Sequence, residues 1–363
     1  MMNAGGFGMR KTGLKEMKKR NREMLLRTIL QQGELSRIEL AHTTQLSPST
    51  VSALVAELLE EGVLVESGER ITTAGRSRVA LNISEEYGYI VVAEVGRTST
   101  QVEVFDMALE CIHHKVLADT YLSGNELLIE LTSAVFEYFD YASHSINKLA
   151  GFGLLFQEDM QPSDFNVMYS TGFSSASISL KEALITQFRI PVIEDYSQTY
   201  TISQAIAPDR ALQKSNTAHL AIGEKVLASI TLQGAPLKLK EGPCSDITPL
   251  ICGDIVALPA KEATQAAASA GVPAVIAGQS NWLELLATQL SGAIVWLCTL
   301  LPLDVVLLSG KAVKTTDLAQ RVQQQVEAKL PGSAPQVQRL ELPKMDVAAL
   351  LAEHVRLSIL CPN

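Results

Sequence analysis

The stretch Leu46–Glu66, LSPSTVSALVAELLEEGVLVE, joins two unlike halves. Val51, Leu54, Val55, Leu58 and Leu59 recur at i, i+3, i+4, i+7 and i+8, which marks one buried face of an amphipathic helix. In front of them stands a cluster of hydroxyls, Ser47, Ser49, Thr50 and Ser52, around Pro48. Ser47 suits the N-cap and Pro48 the first helical position, with Leu46 and Val51 as a hydrophobic staple. The same device occurs just upstream. Ser36 is a cap with Glu39 reaching back, Leu35 and Leu40 form the staple, and the short helix ends near His42. Each cap is worth about 1 kcal/mol, so two starts separated by TTQL predict a helix, a tight turn and a helix. A further helix is expected over Leu14–Gln32, with Met17, Met24, Leu25 and Ile29 on one face and Gly33 as its stop.

After Gly62 the period shortens to two. Val63 and Val65, then Val79, Leu81 and Ile83, predict strands around a loop holding Gly68, Gly75, Arg76 and Arg78. Together these elements read as a winged helix-turn-helix. A recognition helix enters the major groove by its N-terminal residues, and the positive end of its dipole favours phosphate. Small side chains there allow close approach, so Ser47, Ser49, Thr50 and Ser52 are the expected contacts to double-stranded DNA. Arg76 or Arg78 is placed to meet phosphate or the minor groove. The competing reading is a small three-helix unit for protein contacts in which the serines only cap.

Charge separates this head from the rest. Residues 1–83 hold 12 Lys and Arg against 9 Asp and Glu, a net of +3; the remainder holds 18 against 30, a net of −12. A basic head on an acidic body favours a polyanion for the head alone. Lys15, Lys18, Lys19, Arg20 and Arg22 strengthen that reading, and residues 1–16 are expected to be a flexible basic lead-in. That lead-in has no apolar core of signal-peptide length. Hydrophobic residues at 47% and charged ones at 19% describe a globular chain, and 5% aromatics gives little material for base stacking. The five cysteines, 111, 244, 252, 298 and 361, are odd in number and scattered, which fits a reduced, cytoplasmic setting. The apolar run Gly292–Leu303 is too short to span a bilayer and reads as a buried helix.

The body gives two successive α/β series. YIVVAEVG, TQVEVFD and CIHHKVLADT are strands, followed by a helix over Asn125–Ser145, the strand LAGFGLLF, a helix near Ser177–Phe188, the strand PVIEDY and another helix. A second series opens at TAHLAIGEKVLASITLQGAPL and continues through a long helix at Trp282–Leu301, DVVLLSG, a helix, VQRLEL and a terminal helix. The expected division is 17–83 for the head, 84–213 for the first half and 214–363 for the second. Two such halves with a cleft between them describe a duplicated ribonuclease H-like body, the actin-like fold of sugar kinases.

A winged head joined through GRSRVALNI to this body resembles the ROK (repressor, ORF, kinase) family, over nearly the whole chain from about Met17. That resemblance implies a homodimer on a pseudo-palindromic operator and a carbohydrate effector in the cleft. It also supplies motifs to compare. The family's phosphate-gripping D-x-G-x-T matches EVGRT, with Gly96 and Thr98 kept and Glu94 in place of the aspartate. Its G-x-G strand resembles Gly151 and Gly153, although the following P-G turn is FQED here. Its Asn-Asp pair, a sugar ligand and the kinases' catalytic base, aligns with Glu194 and Asp195, and Asp246 stands near the family's sugar-binding glutamate.

Other motifs depart further. The second phosphate loop, G-T-G-x-G in the kinases, falls on IGEKVLAS, where only Gly223 remains and Glu224 opposes polyphosphate. The zinc motif is reduced to Cys244 and Cys252 without a nearby histidine, so no metal and no cofactor are expected. His113 and His114 adjoin on a strand and point to opposite faces, so they cannot chelate one ion. Asp195 without a phosphate donor performs no phosphoryl transfer. The expectation is a non-catalytic regulator of sugar-related genes. The alternatives are a sugar kinase with a fused regulatory head and a ligand-blind DNA-binding or interaction protein.

Overall fold

The structure, a computed structural model, describes residues 6–73, 76–96, 99–157, 160, 162–171, 174–237, 239, 244–253, 271–341 and 346–362. Contacts divide the chain into two compact units. The first is Met1–Phe156, Pro162–Asp195 and Ala348–Asn363; the second is Gln157–Gln161 and Tyr196–Val347.

The head opens the first unit. Helix α1 (Gly6–Gln32) is followed by the short strand β1 (Leu35–Ser36), α2 (Arg37–Thr44) and α3 (Pro48–Glu60), then the hairpin strands β2 (Leu64–Thr73) and β3 (Arg76–Ile83). The three strands form one sheet in the order β1-β3-β2. Helix α1 reaches back to Gly6, so the lead-in expected to be flexible over 1–16 is helical from residue 6 onward. Its buried face is Leu25, Leu26 and Ile29; Met17 and Met24, expected beside them, are exposed. Leu40 of α2 and Val51, Leu54, Val55 and Leu58 of α3 are likewise fully or almost fully buried and supply the rest of the apolar core of the head, while Leu59 is only half-buried.

The body of the first unit follows: β4 (Tyr89–Val95), β5 (Thr100–Phe105), β6 (Cys111–Ala118), α4 (Gly124–Tyr141), β7 (Leu149–Phe156), the hairpin β8 (Val167–Thr171) and β9 (Ser174–Ile178), α5 (Leu180–Phe188) and β10 (Val192–Tyr196). The sheet runs β10-β7-β4-β5-β6, with β4 antiparallel to β5 and parallel to β7. The helix expected from Ser177 starts later. Ser179 is the N-cap, in a capping box with Glu182, and residues 174–178 pair as a strand instead.

The second unit begins with α6 (Ser197–Ile206) and repeats the pattern with β11 (Thr217–Ile222), β12 (Val226–Leu232), β13 (Ala235–Pro236), β14 (Cys244–Asp246), α7 (Thr248–Cys252), α8 (Ala274–Ala277), α9 (Trp282–Leu300), β15 (Val305–Gly310), α10 (Lys311–Thr315), α11 (Leu318–Lys329) and β16 (Gln336–Arg339). Its order, β13-β12-β11-β15-β16, has the same logic: an antiparallel meander, then parallel addition on the far side of the first strand. The expected duplication is present. Among the described residues α9 is long and apolar enough to cross a membrane, but Leu286, Leu290, Ala293, Ile294 and Leu297 are buried in the core of this unit. That apolar core covers one face of the sheet, on Leu220, Ile222, Val306 and Leu308. At Gly310 φ is +119° and an added Cβ would lie 2.1 Å from the Ile222 carbonyl oxygen, so only glycine fits.

The chain ends in α12 (Val347–Leu360). This helix belongs with the first unit, not with the second half as expected over 214–363, and α6 joins the second unit although it precedes residue 214. Packing explains both. Cβ atoms on Gly151 and Gly153 of β7 would lie 2.5 Å from Val355 and 2.8 Å from Leu351, so the bare glycines let α12 close on the strand. Ile202 and Ile206 of α6 pack with Val305, Leu307 and Leu340.

Candidate nucleic-acid interface

The N-terminus of α3 is built as its sequence predicts. Ser47 is the N-cap with extended backbone (φ −64°, ψ 145°), and Pro48 follows in the first turn. The Thr50 amide donates to Ser47 Oγ at 3.1 Å, and that oxygen also lies 2.9 Å from Ser49 Oγ and 2.8 Å from Thr50 Oγ1. Three of the hydroxyls are therefore knit to one another. The exposed tip is Ser49, Ser52 and Ala53, with Thr50 half-buried. Helix α2 carries the expected capping box, its Ser36 amide donating to Glu39 Oε2 at 2.8 Å. It runs to Thr44, two residues past its expected end, and stops at Gln45, whose φ of 57° makes the sharp turn into α3.

Arg76 and Arg78 fall on β3, paired with Thr73 and Ile71 of β2, which places them on the wing; their side chains lie outside the described residues.

The basic lead-in behaves differently from expectation. Lys18 Nζ lies 2.7 Å from Glu57, and Arg22 grips Glu61 with both terminal nitrogens, at 2.8 and 2.5 Å. Two of the five cations expected to attract DNA are thus paired with the acidic end of α3. The hydrogen bond from Arg22 holds the Glu61 carboxyl below its usual range, and Glu61 in turn raises the Arg22 guanidinium. The pairs span 39 residues, a separation with no signature in the sequence. They neutralise the two carboxylates and brace α3 against α1. Lys15 and Arg20 remain exposed.

The residues matched to effector and phosphate motifs are distributed over both units. Glu194 and Asp195 end the first unit on β10, both half-buried. Asp246 lies in the second unit, where one oxygen accepts from the Thr248 amide at 2.8 Å and the other lies 4.0 Å from Lys225. Glu94 accepts from Gln101 at 2.7 Å, and the Gly96 amide donates to the Ser99 carbonyl at 3.0 Å. Thr98 lies outside the described residues. The stretch matched to the second phosphate loop is a tight β11–β12 turn, closed by the Gly223 amide on the Lys225 carbonyl at 2.9 Å, with Glu224 exposed. His113 lies against the Tyr138 ring, 5.0 Å between centroids, while His114 contacts Gln101 Oε1 at 3.2 Å. Neither Cys244 nor Cys252 forms a disulfide among the described residues, and no group of three metal-ligating side chains occurs among them.

Sequence reasoning missed one polar feature in the second unit. Buried His219 contacts Ser309 Oγ through Nε2 at 2.8 Å and the Gln198 amide nitrogen through Nδ1 at 3.2 Å. Burial pushes its imidazole down to about 4, so it is neutral in the native state. The alternation in TAHLAI and VLASITL was its available signal, since polar residues recur there at every second position.

Comparison with known proteins agrees with this architecture. Residues 18–65 match the family described as winged helix-turn-helix DNA-binding. The DNA-binding transcriptional dual regulator NagC of Escherichia coli (strain K12) is 24% identical over 179 residues, 48% of this chain and 43% of that protein. The xylose repressor of Bacillus subtilis (strain 168) is 26% identical over 182 residues, 48% of this chain and 46% of that protein. The chain thus spans less than half the length of these curated relatives. A crystal structure of a ROK family transcriptional regulator, a homolog of the E. coli MLC protein, superposes with a TM-score of 0.60 at 16% identity, over 95% of this chain and 98% of that one. At that identity the likeness is one of fold.

Proposed function

We propose that this chain, a winged helix-turn-helix head on a body with the fold of a ROK regulator, is a DNA-binding transcriptional regulator of sugar-related genes and acts as a repressor. The observation that carries the reading is the α3 tip. A serine-capped helix N-terminus presents Ser49 and Ser52 outward while Val51, Leu54, Val55 and Leu58 anchor it from behind. Ser47, Ser49, Thr50 and Ser52 read or approach the major groove, and Arg76 and Arg78 of the wing meet the backbone. The likeness to NagC, a DNA-binding transcriptional dual regulator, and to the xylose repressor supports the same conclusion. The partner is a pseudo-palindromic duplex bound by a homodimer, with recognition helices about 34 Å apart or a multiple of that. The setting is the cytoplasm.

The effector is a carbohydrate with Glu194 and Asp195 as its contacts, and its coupling to DNA binding requires only about 1–3 kcal/mol. The body is not a kinase in this reading. The closed Gly223–Lys225 turn and the exposed Glu224 support that view, because polyphosphate needs a glycine-rich cradle of amides and no carboxylate beside it. Genome-wide mapping of duplex bound by the full-length chain tests the proposal. Enrichment of paired half-sites near sugar transport or catabolic genes is the expected result, and the absence of any enriched site refutes it. Turnover of a sugar with ATP and magnesium would replace the regulator by an enzyme.

A further inference from the structure

The face of the second sheet turned towards α6 is unusually polar. Thr217, His219 and Ser309 are buried there, and the register sets Ser229 opposite His219 and Thr231 opposite Thr217. Between this face and α6 lies a cavity of about 420 Å³, bounded by α6, β12, the β12–β13 turn and Cys244 of β14. The volume falls in the range of small-molecule sites, about 300–1,000 Å³.

Its wall has two properties that select a ligand. None of the 13 described lining residues carries a carboxylate, an amine, a guanidinium or an imidazole. Among the described residues no counter-charge would offset the lost hydration of an ion, a cost far smaller for a neutral molecule. Hydroxyls and amides from Gln198, Thr199, Ser203 and Ser229 share the wall with Ile202 and Ile206. Hydrogen bonding is also left incomplete at this wall. Only four buried side-chain polar atoms among the described residues have no hydrogen-bond partner, and two of them, Gln198 Oε1 and Thr199 Oγ1, belong to it. Gln198 is 1% exposed and its amide nitrogen already serves His219. Unmet buried polar atoms are costly, and a bound molecule that supplies the missing partner relieves that cost. The described lining includes neither Glu194 nor Asp195, the contacts proposed for the carbohydrate.

We propose that the cavity beneath α6 binds an uncharged small molecule with an apolar body and one hydrogen-bond donor, at a second ligand site of this protein. The donor meets Gln198 or Thr199 after a small side-chain rotation, and the body lies along Ile202 and Ile206. The inference does not depend on the head binding DNA.

The test is fluorine NMR of the full-length chain with 5-fluoroindole, a neutral ring bearing one N–H. Saturable binding is expected at millimolar probe or below. Ser203→Trp, on an exposed position of the rim where folding is not at stake, weakens it at least about ten-fold, and Gln198→Leu weakens it about five-fold, as loss of one hydrogen bond would. A fluorinated indole carboxylate binds at least about ten-fold more weakly than the neutral probe. No saturable binding to the wild type, equal binding to the Ser203→Trp variant, or equal binding of the carboxylate each overturns the proposal. So does a structure of the soaked protein with only ordered water under α6.

Discussion

Replacing Ser49 by glutamate separates the two roles assigned to the start of α3, because it moves stability and DNA affinity in different directions. Ser49 is exposed, two positions after the Ser47 cap, and its hydroxyl touches only Ser47 Oγ at 2.9 Å among the described partners. A carboxylate in the first turn interacts favourably with the helix dipole by about 0.3–1 kcal/mol. This offsets the lost hydroxyl contact, and the fold should be unchanged to within about 0.5 kcal/mol. Against a duplex the same charge is repelled. At about 6 Å from a phosphate the energy is ~0.7 kcal/mol in bulk water and several-fold larger at the lower effective dielectric of an interface. Two neighbouring phosphates then cost about 1–3 kcal/mol, a loss of roughly ten- to a hundred-fold in affinity. The assay pairs thermal melting with fluorescence anisotropy on a duplex selected from a random library by the wild-type chain, at fixed salt. An unchanged melting temperature with unchanged affinity would refute the placement of this tip in the groove. The Ser49→Ala variant controls for the hydroxyl itself and should lose far less.

Three further outcomes follow from the geometry. His219 is neutral when folded, with its imidazole near 4 against about 6.5 in an unfolded chain. Between those values the unfolded state binds a proton that the native state refuses, so stability is complete above about pH 6.5 and falls by up to ~3 kcal/mol as the pH drops to 4. Urea melts across that window should show this slope, and His219→Gln should remove it; identical slopes would contradict the burial argument. Gly310→Ala should destabilise the chain by more than about 3 kcal/mol, because φ of +119° and a carbonyl 2.1 Å from the new Cβ leave no relaxed position. Gly153→Ala should cost less, since the atoms it meets belong to the Leu351 side chain; a denaturation midpoint lowered equally by both substitutions would contradict this ranking. A double-mutant cycle on Arg22→Gln and Glu61→Gln should give a coupling of about 1 kcal/mol in the melt of the head, weakening in salt. Zero coupling would remove the brace between α1 and α3.

The local signals in this chain were legible because they are short-range. The Ser36–Glu39 box, the Ser47 cap with Pro48, and the apolar spacing of α3 each lie within one or two helical turns, where residue identity and periodicity determine the backbone. The succession of strands and helices along both halves was legible in the same way, whereas their order within each sheet was not. Tertiary structure alone decided the partners of distant residues. No spacing rule says that Lys18 and Arg22 meet Glu57 and Glu61, that Gly151 and Gly153 are bare to receive α12, or that Gln198, His219 and Ser309 converge. Such contacts depend on which faces are brought together once every element has found its core. That choice is made by burial summed over the whole chain, and any one stretch of sequence contributes only a part of it.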